Sequence, residues 1–128
     1  MSEASVQQDI RLAASRRNAY LWRNNSGAFQ DERGNWIRYG LANDSKRLNE
    51  ELKSSDLIGF TPVVITPDMV GKVVAIFTAI EVKPGGWNGV RSAREKAQDR
   101  FIQLVRAFGA RAGFAASVED ACNVMEGK

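Results

Sequence analysis

The run Val73 to Val82, VVAIFTAIEV, constrains this chain more than any other segment. It is apolar on both alternating faces, the pattern of a core strand covered on two sides rather than one facing water. It ends in a charged pair, Glu81 and Lys83, which flank Val82 and therefore point to the same face. Charges at the end of so apolar a strand are costly unless they serve each other, a metal or a substrate. A structural salt bridge accounts for an E-x-K pair taken alone, so the rest of the chain has to decide between these uses.

Around this strand the sequence predicts an alternation of helices and strands. Ser2 is placed to cap a helix running to about Asn18, with Val6, Ile10, Ala13 and Ala14 on one buried face. AYLWRN reads as a short strand ended by NNSG, and AFQDERGNWIRYG as a hairpin in which Gly34 supplies a positive φ. Leu41 to Lys53 has no clear period and reads as an exposed loop or a short helix. Leu57–Thr66 and Lys72–Lys83 are β-rich and joined by Pro67, Asp68 and Gly71, the punctuation of an antiparallel hairpin. PGGWNG ends the second run. Ser92 to Phe108 forms a helix with Ala97, Phe101, Leu104, Val105 and Phe108 on one stripe, stopped by Gly109. RAGFAA gives a last strand, and SVED opens a final helix with Ser117 and Asp120 spaced as a capping box. No repeat or linker interrupts the chain, so residues 1–128 read as a single α+β domain, a mixed sheet flanked by helices.

Composition removes several chemistries. The 128 residues contain no histidine, which excludes His-dependent triads, His general bases and the usual zinc hydrolases. One cysteine, Cys122, permits neither an intrachain disulfide nor a cysteine-rich zinc site, and reads as a small apolar residue on the last helix. Chemistry must then come from carboxylates, lysine, hydroxyls or amides. The longest apolar stretch, Val73 to Ile80, is far shorter than the roughly 20 residues of a membrane span. With no signal-peptide pattern at the start, a soluble, cytoplasmic protein is expected. The net charge of +3 suits a polyanionic partner, and its distribution is more telling: Arg91 to Arg111 holds six basic residues against the acids Glu95 and Asp99.

Asp56, in SSDLIG, stands immediately before the strand expected to neighbour the IEVK strand. Antiparallel pairing there would bring Asp56 beside Glu81, so that two carboxylates and a lysine converge. Carboxylate oxygens suit Mg2+ or Mn2+, hard cations that also accept phosphate oxygens. A neighbouring lysine can orient a water and offset charge developing on a phosphate.

SDLIG, then IEVK, then a helix carrying Gln98 resemble the PD-(D/E)xK nuclease superfamily. More closely, the chain is similar to the virus-type replication-repair nuclease (VRR-NUC) domain in its small stand-alone, phage-like form. The likeness runs from Glu3 and Gln7 through WRNNSGAF, SDLIG and IEVK to GFAASVEDA. It implies a restriction-endonuclease-like core, a central mixed sheet with helices on both sides. Carried over by position, it implies that Asp56, Glu81 and the backbone carbonyl of Val82 hold the divalent metal and that Lys83 is the catalytic lysine. Glu3 and Gln98 become supporting active-site residues. Ser55 stands where the superfamily has its named proline.

The basic helix that follows IEVK would contact phosphates beside the metal, with Arg91, Arg94 and Lys96 as the candidates. Trp87, in the turn after Lys83, is placed either to stack on a splayed base or to cover the sheet edge. The RNNSG loop can hold a phosphate through Arg23 and its amides, or be an ordinary turn. The expectation is a metal-dependent endonuclease acting on branched or structured DNA, resembling a Holliday-junction resolvase. Cutting both strands symmetrically would require a homodimer, and no small-molecule cofactor is called for. The alternatives are a non-cleaving DNA-binding module of the same fold, and a structural or interaction protein whose E-x-K pair is a salt bridge.

Overall fold

The computed structural model describes residues 2–128 and divides into two compact units, Met1–Val63 and Val64–Lys128. The N-terminal unit opens with α1 (Glu3–Ser15), capped as expected by Ser2, whose hydroxyl accepts the Ser5 amide. The helix ends three residues before Asn18 because the chain reverses there. Asn18 takes a φ of 58°, and the Ala19 and Asn18 amides return to the carbonyls of Ala14 and Ser15. Of the expected buried face only Ala14 is buried; Val6 and Ile10 are exposed.

Strand β1 (Tyr20–Arg23) pairs antiparallel with β4 (Leu57–Phe60), with Tyr20 opposite Phe60 and Arg23 opposite Leu57. Strands β2 (Gly27–Gln30) and β3 (Trp36–Tyr39) form the expected hairpin. Its turn is closed by Asp31, whose carboxylate accepts the Arg33 and Asn35 amides, and by Gly34 at φ 83°. The polar stretch after β3 contains α2 (Lys46–Glu51), capped by Ser45.

The C-terminal unit begins with a 3-10 turn at Pro67–Met69 and continues through β5 (Thr78–Val82), α3 (Ala93–Ala107), β6 (Arg111–Ala115) and α4 (Val118–Glu126). Strands β5 and β6 are parallel, with Glu81 opposite Phe114 and Val82 opposite Ala115. The stretch β5-α3-β6 is therefore a βαβ unit, in which a helix makes the crossover a parallel pair requires. The buried core here is Ile102 and Val105 of α3 with Ala112 and Ala115 of β6. Gln98 of α3 bonds to Glu81, while a side chain at Gly113, opposite Ile80, would press on Val124 of α4. Glu81 and Ile80 point to opposite faces, so α3 and α4 lie on opposite sides of this sheet.

Three expectations are corrected. The stretches 57–66 and 72–83 do not form a hairpin: β4 pairs with β1, β5 pairs with β6, and only Thr78–Val82 of the second stretch is strand. Val73 and Val74 are 99% and 54% exposed, so the doubly apolar pattern does not mark a covered strand along its full length. The strands make three two-stranded sheets in place of one central mixed sheet, within an α+β arrangement. Local β-propensity identifies a strand but not its partner, which depends on contacts distant in sequence. On α3 the buried pair is Ile102 and Val105, whereas Phe101, Leu104 and Phe108 are exposed, because a two-stranded sheet covers only part of the helix's apolar arc. Cys122 sits on α4 as expected, but exposed. Among the described residues no helix is long and apolar enough to cross a membrane.

Candidate active site

In the C-terminal unit, Glu81, Lys83 and Gln98 form one hydrogen-bonded chain. The Lys83 ammonium donates to Gln98 Oε1 at 2.8 Å, and Gln98 Nε2 donates to Glu81 Oε1 at 2.7 Å. The βαβ crossover makes this possible. Glu81 and Lys83 share the α3 face of the sheet, Gln98 descends from α3 between them, and the Lys83 amide extends the pairing by donating to the Ala115 carbonyl at 2.8 Å.

Lys83 is enclosed, with 13% of its side chain exposed. Its ammonium lies 5.6 Å from the centre of the Phe114 ring and 5.9 Å from that of Trp87, and the two rings pack 4.8 Å apart. Glu95 completes the surround, 3.7 Å from the ammonium. Sequence reasoning missed Glu95, although S-x-x-E at Ser92 to Glu95 is a capping-box signature. Its Oε1 accepts the Ser92 and Arg91 amides, and its Oε2 accepts the Trp87 indole N–H at 2.6 Å. The Ser92 amide foremost, and then the Trp87 indole, hold the Glu95 carboxyl down to about 2, against the opposing effect of burial. Glu95 therefore stays ionised near neutral pH and keeps Trp87 over Lys83. Trp87 thus packs on Phe114 beside Lys83, a placement that neither of its two expected uses, base stacking or covering the sheet edge, described.

The exposed basic residues lie at the start of α3. Arg94 borders a groove with Glu81, Gln98, Ala97 and Phe101, while the side chains of Arg91 and Lys96 point to solvent.

In the N-terminal unit, Asp56, Glu3, Gln7 and Arg23 line one groove of about 680 Å3. Asp56 is positioned by Asn24, whose amide donates to the Asp56 carbonyl at 2.8 Å and whose side chain donates to the Ser55 carbonyl and the Ser54 hydroxyl. The Asn24 amide and side chain are thus spent on the Asp56 segment and are not open to a phosphate. The strand beside Asp56 is β1, not β5, so strand pairing does not bring Asp56 to Glu81 as expected.

Glu81 Oε2 and the Asp56 and Glu3 carboxylates have no hydrogen-bond partner among the described residues. Because β5 pairs through Glu81 and Lys83, the Val82 carbonyl projects from the opposite edge, which carries no strand in this two-stranded sheet. Carboxylate and backbone carbonyl oxygens are the donors Mg2+ and Mn2+ accept. Among the described residues no three His, Cys, Asp or Glu side chains are grouped to hold a metal ion.

No family model matches the chain, and comparisons with curated proteins and with solved structures gave no match.

Proposed function

We propose that the chain is a divalent-metal-dependent endonuclease of the VRR-NUC type, with a restriction-endonuclease-like core, hydrolysing DNA phosphodiester bonds in branched or junction DNA. The observation that carries this reading is the Lys83–Gln98–Glu81 hydrogen-bond chain. A structural salt bridge would join Glu81 to Lys83 directly. An amide placed between them keeps the carboxylate and the ammonium apart and orients both, leaving Glu81 an oxygen for another partner.

In this reading Asp56, Glu81 and the Val82 carbonyl would hold Mg2+ or Mn2+, which would supply Lewis acidity toward a phosphodiester oxygen. Lys83 places its positive charge beside the phosphate and orients the attacking water, and Gln98 fixes the lysine's direction. The water oxygen forms a bond to phosphorus as one ester P–O bond breaks. The water gives up one proton and the departing alkoxide takes one up, leaving a phosphate monoester and a free hydroxyl. The rings of Trp87 and Phe114 shield the ammonium from solvent, which strengthens its interaction with an anion. Glu3 supports the Asp56 groove, and Arg23, Arg91, Arg94 and Lys96 supply phosphate contacts. A homodimer would place two such centres across a junction.

The test is incubation of a labelled four-way junction and a matched linear duplex with Mg2+, Mn2+ or EDTA, read on a denaturing gel. Metal-dependent cutting by the native chain, reduced roughly 100-fold or more in Lys83→Ala, supports the nuclease. The Lys83–Glu95 ion pair favours a second reading, a non-cleaving DNA-binding module, because it already engages the ammonium. Metal-independent DNA binding with no cleavage under any condition would establish it.

A further inference from the structure

A second groove in the N-terminal unit runs between α1 and β1, with a volume of about 840 Å3. Arg11, Arg23, Gln7 and Gln8 line it together with Tyr20 and Trp22, and no aspartate or glutamate does. Among the described residues neither the Arg11 nor the Arg23 side chain has a hydrogen bond or an ion pair. Three other arginines of this unit are engaged, Arg17 with the Ala13 carbonyl, Arg38 with Asn43 and Arg47 with Glu51, while Arg16 and Arg33 lie outside the groove. Two guanidinium groups without internal acceptors, in a groove free of carboxylates, fit a phosphate backbone.

Tyr20 and Trp22 alternate along β1 and so share one face, where their rings and that of Phe60 lie 5.4–6.0 Å apart. Unpaired bases offer ring faces to such side chains, whereas a duplex keeps those faces stacked inside itself. Arg23 and Gln7 also line the groove that holds Asp56 and Glu3, so these residues border both grooves.

We infer that the α1–β1 groove binds a single strand of nucleic acid and leads it over Arg23 to Asp56. The inference deepens the DNA-binding part of the proposed function and rests on it for the destination of the strand. A single-stranded arm would enter along Arg11, with the guanidinium groups on phosphates and the aromatic face toward bases.

The test is fluorescence anisotropy of a labelled oligothymidine and of a duplex of equal length, in EDTA so that no cleavage occurs. The expected result is tighter binding of the single strand, weakened about tenfold by Arg11→Glu, with a salt dependence reduced by about one phosphate contact. Arg33→Glu, at the exposed hairpin tip outside the groove, should leave both unchanged, and circular dichroism establishes that both variants fold. Equal losses in the two variants, preference for the duplex, or no binding of the oligothymidine would overturn the inference. The nuclease reading stands or falls separately. Lys83-dependent cleavage with no Arg11 effect removes the groove alone, and Arg11-dependent binding without cleavage removes the nuclease alone.

Discussion

Gln98 uses both ends of its amide, accepting from Lys83 and donating to Glu81, and no other side chain of the cluster can replace that bridge. Gln98→Leu leaves a half-buried ammonium and a half-buried carboxylate without their shared partner. The expected cost is about 1–3 kcal/mol in urea unfolding, together with a loss of nuclease activity larger than that of Lys96→Ala. An unchanged unfolding midpoint would show that the bridge contributes nothing. Glu95 yields a pH prediction. Its folded-state carboxyl is held near 2, below the ordinary 4.5, so its contribution to stability is whole above that ordinary value and is lost as pH falls toward about 2. The thermal midpoint of the native chain should therefore exceed that of Glu95→Gln at pH 6, and the gap should narrow steadily down to pH 2.5. A gap constant across that range would contradict the assignment.

Elements here depend on a few polar or glycine positions. Asn43 is 3% exposed, and its side chain donates to the Gly27 and Tyr39 carbonyls at 2.8 and 2.9 Å while accepting from Arg38. It ties the segment after β3 to both strands of the hairpin. Asn43→Ala would leave the part-buried Gly27 and Tyr39 carbonyls without this donor and should lower stability by about 1–3 kcal/mol in denaturant titration. Gly59 sets the β1–β4 pairing, because a Cβ there would overlap the Tyr20 carbonyl oxygen and crowd the Leu21 backbone. Gly59→Ala must push β1 aside, and hydrogen exchange should show the amides of Tyr20 to Arg23 losing protection while those of β5 and β6 keep theirs. Both effects are local to an element, so each is read on the amides of that element.

At the scale of the whole chain, the boundary between the two compact units falls within a run that carries no helix or strand from Thr61 to Thr66 and again from Lys72 to Phe77. Exposed backbone outside regular structure opens to proteases at little free-energy cost. Brief trypsin treatment should therefore cut after Lys72 before it cuts after Arg100 within α3, giving two fragments by mass spectrometry. Initial cutting within α3 would contradict this. The same stretch exposes Val63, Val64, Ile65, Val70 and Val73. Light scattering tests the homodimer expected of a junction-cutting enzyme, and a strict monomer at assay concentration would oppose it.

Local signals determined most of the elements. Ser2, Ser92 and Ser117 cap their helices because a hydroxyl at that position satisfies an orphan amide whatever surrounds it, and Gly34 turns its hairpin because its φ of 83° disfavours a side chain. The shared face of Glu81 and Lys83 followed from the two-residue period of a strand, whereas the bonds of Gln98 to both came only with the packing of α3 on β5. Partnership was not legible. The pairing of β4 with β1, the parallel pairing of β5 with β6 and the exposure of Val73 depend on contacts between residues far apart in sequence, which no local pattern specifies. Tertiary structure alone decided that Glu95 and Trp87 enclose Lys83 and that Asn24 holds the Asp56 segment. A hydrogen bond between distant side chains exists only once the backbone has fixed both donor and acceptor.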